Sequence, residues 1–200
     1  MSSDNRQPRG IPVGGEYAAH GRSEADVALT GLYKNMTESA VDAELAGYYG
    51  EIFALNTKIW SDEDYLRDAR KFKENPRAYR RQEWKFKDVD NKIAAAEQRI
   101  NKNGSLVDQI LDEKVAPINV EFDDRGGWTR FYLVVSSSGG HVHRVLNCST
   151  CYPRTKYIWL TDESGKSEDE IVERAGDGAC TVCYPTAPVA NRNNPRPNQF

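Results

Sequence analysis

All four cysteines of the chain fall into two Cys-x-x-Cys pairs, Cys148 with Cys151 and Cys180 with Cys183. Each pair is followed by Tyr-Pro, and 28 residues separate the two pairs. Zn²⁺ binds four thiolates tetrahedrally. Two residues between cysteines allow a tight turn that directs both sulfurs at one point. The spacing therefore predicts a structural site for one Zn²⁺ per chain, held by all four cysteines.

Disulfide bonds and thiol redox chemistry are the two other uses of paired cysteines. Two structural disulfides need an oxidising compartment, but the opening residues MSSDNRQPRG contain no apolar segment typical of a secretory signal. No apolar run approaches the length of a membrane span, so we expect no transmembrane helix and a cytoplasmic location. A thioredoxin-like site uses one pair beside a βαβ unit, which fits two matched pairs poorly.

Two histidines, His141 and His143, precede the first cysteine pair. Positions i and i+2 of a strand face the same way, so both rings could reach one site. One ring could replace a cysteine ligand, which would free Cys148 as a nucleophile or leave a zinc-bound water. We expect instead that both rings cap the hairpin or support the site from outside the ligand set, because four cysteines already close the coordination. A nucleobase deaminase is excluded, since neither histidine is followed two residues later by the required Glu.

Helical periodicity characterises residues 37–115. Thr37 is the expected N-cap of a first helix, and Ser61 is the expected N-cap of a second. The Asn75-Pro76 pair ends that helix, and a third helix begins near Pro76 or Tyr79 and stops at Asn103-Gly104. Two apolar stripes with spacings of three and four predict a helical hairpin or a coiled coil. They consist of Val41, Leu45, Tyr48, Ile52, Leu55 and Ile59, and of Phe86, Val89, Ile93, Ala96 and Ile100.

From Asn119 onward the sequence period changes. Residues 128–135 and 141–146 predict two strands joined by a turn over 136–140, and residues 157–160 predict a third strand. Ser167 and Glu170 form a capping-box pattern, which predicts a helix over 168–175 that Gly176 ends. A module of about 65 residues has little core of its own, so a bound metal is the expected source of stability.

Residues 67–87 form a basic stretch with nine Lys or Arg residues and three acidic ones. Five aromatic residues interleave with or adjoin them, namely Tyr65, Phe72, Tyr79, Trp84 and Phe86. Basic side chains contact phosphates and aromatic faces stack on bases, so the stretch is a candidate nucleic-acid surface. The competing interpretation, which we favour, is a solvated helix face whose aromatic residues turn toward the core. The candidate contact residues are Arg70, Lys71, Lys73, Arg77, Arg80, Arg81, Trp84, Lys85 and Lys87.

Three groups of short motifs are Gly-Trp-Thr-Arg-Phe-Tyr-Leu-Val with Gly-His-Val-His, the two Cys-x-x-Cys-Tyr-Pro segments, and Arg-Gly-Ile-Pro-Val-Gly-Gly-Glu-Tyr-Ala-Ala near the start. On these motifs, residues 8–30 and 126–188 resemble a set of uncharacterised proteins of actinobacteria and their bacteriophages. It implies a bacteriophage or mobile-element context and no particular activity. The closing pair Cys180 and Cys183 is also similar to that of the metal-binding domain of the Ada DNA-repair protein. Ada has three residues inside its first pair where this chain has two, and its methyl-accepting role would fall on Cys148.

The sequence of 200 residues thus predicts an α+β protein in four parts. These are a flexible arm (1–36), a helical region (37–118), a four-cysteine zinc module (119–188) and a disordered tail (189–200). The zinc module is expected to be a β-hairpin and helix of the zinc-ribbon or treble-clef-like kind. The net charge of −3 excludes a polycation that coats nucleic acid, although it permits a local basic patch.

Three functions remain open from the sequence. The first is a non-enzymatic zinc-binding accessory protein that binds nucleic acid or a host protein through a zinc-organised surface. The second is a zinc or thiolate enzyme, either an Ada-like methyl acceptor or a zinc hydrolase, that uses Cys148 with His141 or His143. The third is a coiled-coil protein that forms homo-oligomers through the helical region.

Overall fold

The computed structural model describes residues 33–136 and 139–188, and it is an α+β structure. A helical region comes first and a three-stranded antiparallel sheet with one further α-helix follows. Most of the predicted arm and the whole predicted tail lie outside the described residues. No helix in the described ranges is long and apolar enough to cross a membrane.

Two long helices form a hairpin. Helix α1 spans Glu38–Glu74, a 3₁₀ segment spans Pro76–Phe86, and helix α2 spans Val89–Ile110. A π-helical turn (Leu111–Val115) leads without a break into helix α3, Ala116–Asp124. Helices α1 and α2 run antiparallel, as the Arg99–Asp62 and Lys73–Asp90 ion pairs show. Their shared core contains Val41, Leu45, Ile52, Val107, Val115 and Ile118.

The predicted ends of helix α1 are confirmed, but the predicted break inside it is wrong. Thr37 Oγ1 accepts a hydrogen bond from the Ala40 N–H at 3.2 Å, and the helix stops before Asn75-Pro76. Ser61 does not start a second helix, because it lies within α1. Ile59 and Leu66 on either side of it are both buried, and an uninterrupted helix keeps these two residues, which are two turns apart, on one face.

The predicted stop at Asn103-Gly104 is also wrong. Glycine inside a helix costs about 1 kcal/mol relative to Ala. Gly104 is buried near Val107 on the face that packs against α1, and this packing outweighs the local cost. Asn119 does not begin the strand region either, because α3 continues to Asp124. Pro117 is tolerated there, since it occupies the first turn of α3.

The sheet has the strand order β2-β1-β3, with β1 at Tyr132–Ser136, β2 at Gly139–His143 and β3 at Ile158–Trp159. The predicted second strand therefore starts and ends too late. Helix α4, Glu168–Ala175, is confirmed together with its capping box and its end at Gly176. Strand β1 is central, and Tyr132 lies opposite both His143 and Trp159.

A buried carboxylate joins the sheet to the helical hairpin. Asp42 of α1 accepts hydrogen bonds from Trp128 Nε1 at 2.8 Å, Arg130 Nε at 2.7 Å and Ser164 Oγ at 2.6 Å. Arg154, which follows the first cysteine pair, makes a bidentate pair with Asp64 of α1 at 2.8 and 3.1 Å. The cysteine-containing region is thus fixed against one side of the long helix.

Candidate metal centre

The second cysteine turn is held in place by strand β2. The Cys180 N–H donates to the Val142 carbonyl at 3.0 Å, and Ala179 forms a parallel bridge with Val142. The Tyr184 N–H donates to the Cys180 carbonyl at 2.8 Å, which closes the turn. These bonds bring Cys180 and Cys183 beside the end of β2, where His143 lies.

The first cysteine turn is closed locally. The Cys151 N–H donates to the Cys148 carbonyl at 2.9 Å, so both side chains leave the same tight turn. Cys148 is buried in the core of the module with Ile171 of α4 and Phe131. The short sheet and α4 therefore position this turn against the second one.

Four side chains converge where the two turns and β2 meet. The Sγ atoms of Cys148, Cys180 and Cys183 and a ring nitrogen of His143 all lie within 4.8 Å of one another. Cys148 Sγ lies 3.7 Å from Cys180 Sγ, and Cys183 Sγ lies 3.6 Å from His143 Nδ1. Each of the four residues is at most 6% exposed. This buried cluster can hold a metal ion.

Cys151 has a different position from the other three cysteines. Among the described residues it falls outside the converging group, and its Sγ lies 3.7 Å from His143 Nε2. Burial, reinforced by a hydrogen bond to Cys151, raises the pKa of Tyr157. His143 thus faces the converging group with Nδ1 and Cys151 with Nε2. That all four cysteines are ligands stays a prediction.

The electrostatics of the cluster suit a cation. Burial, with the nearby His141 charge, lowers the pKa of His143, so its ring is neutral and can donate an electron pair. Burial and the neighbouring thiols raise the pKa of Cys183 to about 12. Burial also disfavours the Cys180 thiolate, but hydrogen bonds from the Cys183 N–H and from Thr150 outweigh it and lower the pKa of Cys180. A bound metal cation favours the thiolate at every such position.

The spacing of the donors fits a tetrahedral ion. Zn²⁺ at about 2.3 Å from each sulfur separates two sulfurs by about 3.8 Å, and the Cys148–Cys180 distance is 3.7 Å. A disulfide requires about 2.05 Å, and all four cysteines are free thiols. Three thiols and one imidazole form a donor set that zinc commonly takes.

The two histidines behave differently. His143 joins the converging group, whereas His141 is exposed and is not a member of it.

Sequence reasoning missed two further residues at the site, Thr150 and Tyr157. Thr150 Oγ1 lies 3.1 Å from Cys148 Sγ and 3.6 Å from Cys180 Sγ. The position of Thr150 inside the first Cys-x-x-Cys turn was the signal that could have identified it.

The basic stretch lies at the far end of the helical hairpin, and we call residues 75–88 the hairpin tip. Four aromatic residues in and beside the basic stretch pack on one another, and Phe72 stacks on Phe86 with centroids 4.5 Å apart. Tyr79 and Tyr65 contact the same Phe86 ring. Trp84 does not join them and is 74% exposed. The interpretation that the aromatic residues turn inward therefore holds for four of them.

The predicted basic contacts divide into two groups. Lys73 pairs with Asp90 at 2.7 Å, and Arg70 and Lys71 line an open depression together with acidic side chains. The others are exposed and form no ion pair within residues 33–136 and 139–188; they are Arg77, Arg80, Arg81, Lys85 and Lys87. Lys85 Nζ lies 5.7 Å from the centroid of the Trp84 ring. The hairpin tip thus presents five exposed cations that form no ion pair with the described residues, and one exposed indole lies in the same segment.

The fold and site together define an α+β protein with a helical hairpin and a buried His/Cys cluster that can hold a metal ion. No family model, no curated protein and no solved structure matches the chain. The resemblances to actinobacterial and bacteriophage proteins and to the Ada domain stay predictions.

Proposed function

We propose that the chain binds one Zn²⁺ per molecule through His143, Cys148, Cys180 and Cys183, and that this zinc is structural. The observation that carries the proposal is the convergence of these four donors in a buried cluster with a tetrahedral sulfur spacing. In this arrangement His143 Nε2–H faces the Cys151 sulfur at 3.7 Å, so Cys151 supports the ligand ring.

Burial favours a structural zinc over a catalytic one. A catalytic zinc keeps a coordination position open to substrate, whereas a structural zinc is closed by four protein ligands. Here four donors are available, and each residue is almost fully removed from solvent. The function is therefore non-enzymatic, and the metal serves to fix Cys148 and its turn against β2.

Single substitutions distinguish the proposed ligand set from one made of four cysteines. Cys148→Ser should abolish stoichiometric zinc in either case. Cys151→Ser should keep one zinc per chain and His143→Ala should lose it, because His143 is the proposed fourth ligand. Zinc content by mass spectrometry and thiol counts before and after chelation provide the readout. Loss of zinc in Cys151→Ser with retention in His143→Ala would establish four cysteine ligands instead.

The macromolecular partner that best fits the surface is nucleic acid, bound at the hairpin tip. Five exposed cations without an ion pair among the described residues share this segment with an exposed indole, so the tip combines the two groups that contact phosphates and bases. The tip also has its own aromatic packing around Phe86, which holds these side chains in place. The resemblance to bacteriophage proteins supports an accessory role in a phage or mobile element.

The test is the salt dependence of binding to a labelled single-stranded oligonucleotide. The triple variant Arg77→Gln/Arg80→Gln/Arg81→Gln should weaken binding at least about tenfold and flatten the slope against salt. A charge-matched control, Lys58→Gln/Lys102→Gln/Lys114→Gln, removes three exposed cations elsewhere and should change little. Equal effects of the two triple variants would refute binding at the tip. Absence of any binding would direct the search to a host protein.

A further inference from the structure

A cleft of about 420 Å³ lies between helix α1 and the segment that enters β3. Its walls are rich in aromatic side chains, and we call it the aromatic cleft. These side chains are Tyr49, Phe53, Trp60, Tyr157 and Trp159. The volume lies in the range of pockets that bind small molecules, which are usually apolar with a few polar groups.

The two walls of the aromatic cleft differ in the exposure of their polar side chains. Asn56 lies on the helical wall and is buried, whereas Lys156 lies on the opposite wall and is exposed. Among the described residues that line the cleft, Lys156 is the one charged side chain, and none is acidic. A ligand with a planar ring and an anionic group complements this distribution.

We propose that the aromatic cleft binds an unpaired nucleobase and that Lys156 contacts its phosphate. Aromatic side chains accept any base by stacking, because every base has a π face. The inference rests on the proposed nucleic-acid function and assigns a second contact, separate from the hairpin tip. Helix α1 rises by about 22 Å between Trp60 and Asn75, so one strand could contact both.

The candidate metal centre supports one wall of this cleft. Tyr157 contacts Cys151, and its ring packs edge-on against His143 with centroids 6.3 Å apart. The paired Arg154 and Asp64 hold the same loop against α1. The cleft therefore depends on the metal-supported loop for its shape, and removal of the metal should weaken ligand binding.

Two glycines of helix α1 provide a matched pair of variants. Gly50 lines the cleft and Gly47 does not, and a Cβ at either position would have no atom within 4 Å. Gly50→Phe should fill the cleft, while Gly47→Phe should extend into open space. Both changes replace glycine by a better helix former, so both chains should fold. Circular dichroism and zinc content check this, and Lys156→Gln provides a milder surface variant.

The probes are adenosine 5′-monophosphate and a single-stranded oligo(dA) of about ten nucleotides. Gly50→Phe should weaken binding of both probes at least about tenfold, Gly47→Phe should bind them like wild type, and Lys156→Gln should flatten the salt dependence. If Gly50→Phe and Gly47→Phe bind both probes equally, the inference is overturned, even where the tip variant still loses the oligonucleotide. If wild type binds the mononucleotide but not the oligonucleotide, and Gly50→Phe no longer binds the mononucleotide, the cleft is a nucleotide site. The proposed binding of nucleic acid then fails.

Discussion

Asp42 should be the residue whose loss most disturbs the contact between the helical hairpin and the sheet. Its carboxylate is 1% exposed and lies 2.7 Å from Arg130 Nε, which belongs to a side chain that is 13% exposed. Trp128 and Ser164 donate to the second carboxylate oxygen. The substitution Asp42→Asn keeps the shape of the side chain but removes its charge and replaces an acceptor oxygen with an amide donor.

The magnitude follows from the charge that is left behind. Removal of one partner from a buried ion pair costs about 3–5 kcal/mol, because the other charge stays buried without compensation. Arg130 also lies over the Phe122 ring, with Cζ at 3.7 Å from the centroid, so it cannot reach water without losing that contact. We therefore expect Asp42→Asn to lower the free energy of unfolding by about 3–5 kcal/mol.

Urea unfolding of the zinc-bound chain, followed by circular dichroism, measures this cost. Asp90→Asn is the matched control, because its pair with Lys73 is exposed and should contribute about 1 kcal/mol or less. The double variant Asp42→Asn/Arg130→Leu should be less destabilised than the sum of its single variants, since it removes both charges. If the losses of unfolding free energy in Asp42→Asn and in the control differ by less than about 1 kcal/mol, a buried ion pair does not stabilise the contact between the hairpin and the sheet.

Three further predictions concern the cap, the pH dependence and the metal. Ser167→Ala should cost about 1 kcal/mol, because it removes the acceptor for the Glu170 N–H; an unchanged urea midpoint would contradict the capping role. Burial raises the pKa of Glu163, but hydrogen bonds from Lys166 and Arg174 outweigh it, so the folded pKa lies below its usual value. The contribution of Glu163 is then complete above about pH 4.3 and is lost as pH falls through the folded pKa. The difference in urea midpoint between wild type and Glu163→Gln should therefore become smaller in acid. A difference that does not change with pH would contradict a lowered pKa of Glu163 in the folded state. Chelation should lower the thermal midpoint by an amount that grows with the logarithm of the affinity for zinc, and readdition should restore it; a midpoint unaffected by chelation would contradict a structural role.

Local signals in the sequence predicted the elements whose ends depend on local chemistry. The capping box at Ser167, the N-cap at Thr37 and the Pro76 break act within one turn of the chain, and all three are found. Ser61 and Gly104 carry equally plausible local signals, but both lie inside continuous helices. There the burial of residues from distant parts of the chain decides the outcome, and a single sequence does not display those contacts.

The candidate metal centre likewise depends partly on local signals and partly on contacts between distant residues. Cys-x-x-Cys spacing predicted two tight turns and their convergence, because each turn is fixed by a few bonds. The identity of the fourth side chain in the cluster depends on where the end of β2 meets the second cysteine turn. That meeting is set by the Val142–Ala179 bridge and the Cys180–Val142 hydrogen bond, which join residues far apart in sequence. These contacts bring His143 into the cluster and leave Cys151 beside it.

Asp42 links the core around the candidate metal centre to the helical hairpin. The candidate metal centre lies in a core with Phe131 and Ile171, while the helical hairpin has a separate core around Leu45. The two cores meet through the aromatic side chains of Trp128 and Trp159, which pack against the helical core, and through the Asp42 hydrogen bonds. Both sets of contacts involve helix α1, so we expect the loss of a bound metal to disturb the contact between the two cores. Zinc removal and Asp42→Asn should therefore weaken the same contact from opposite sides. Their effects on stability should be less than additive if that contact is the route between them.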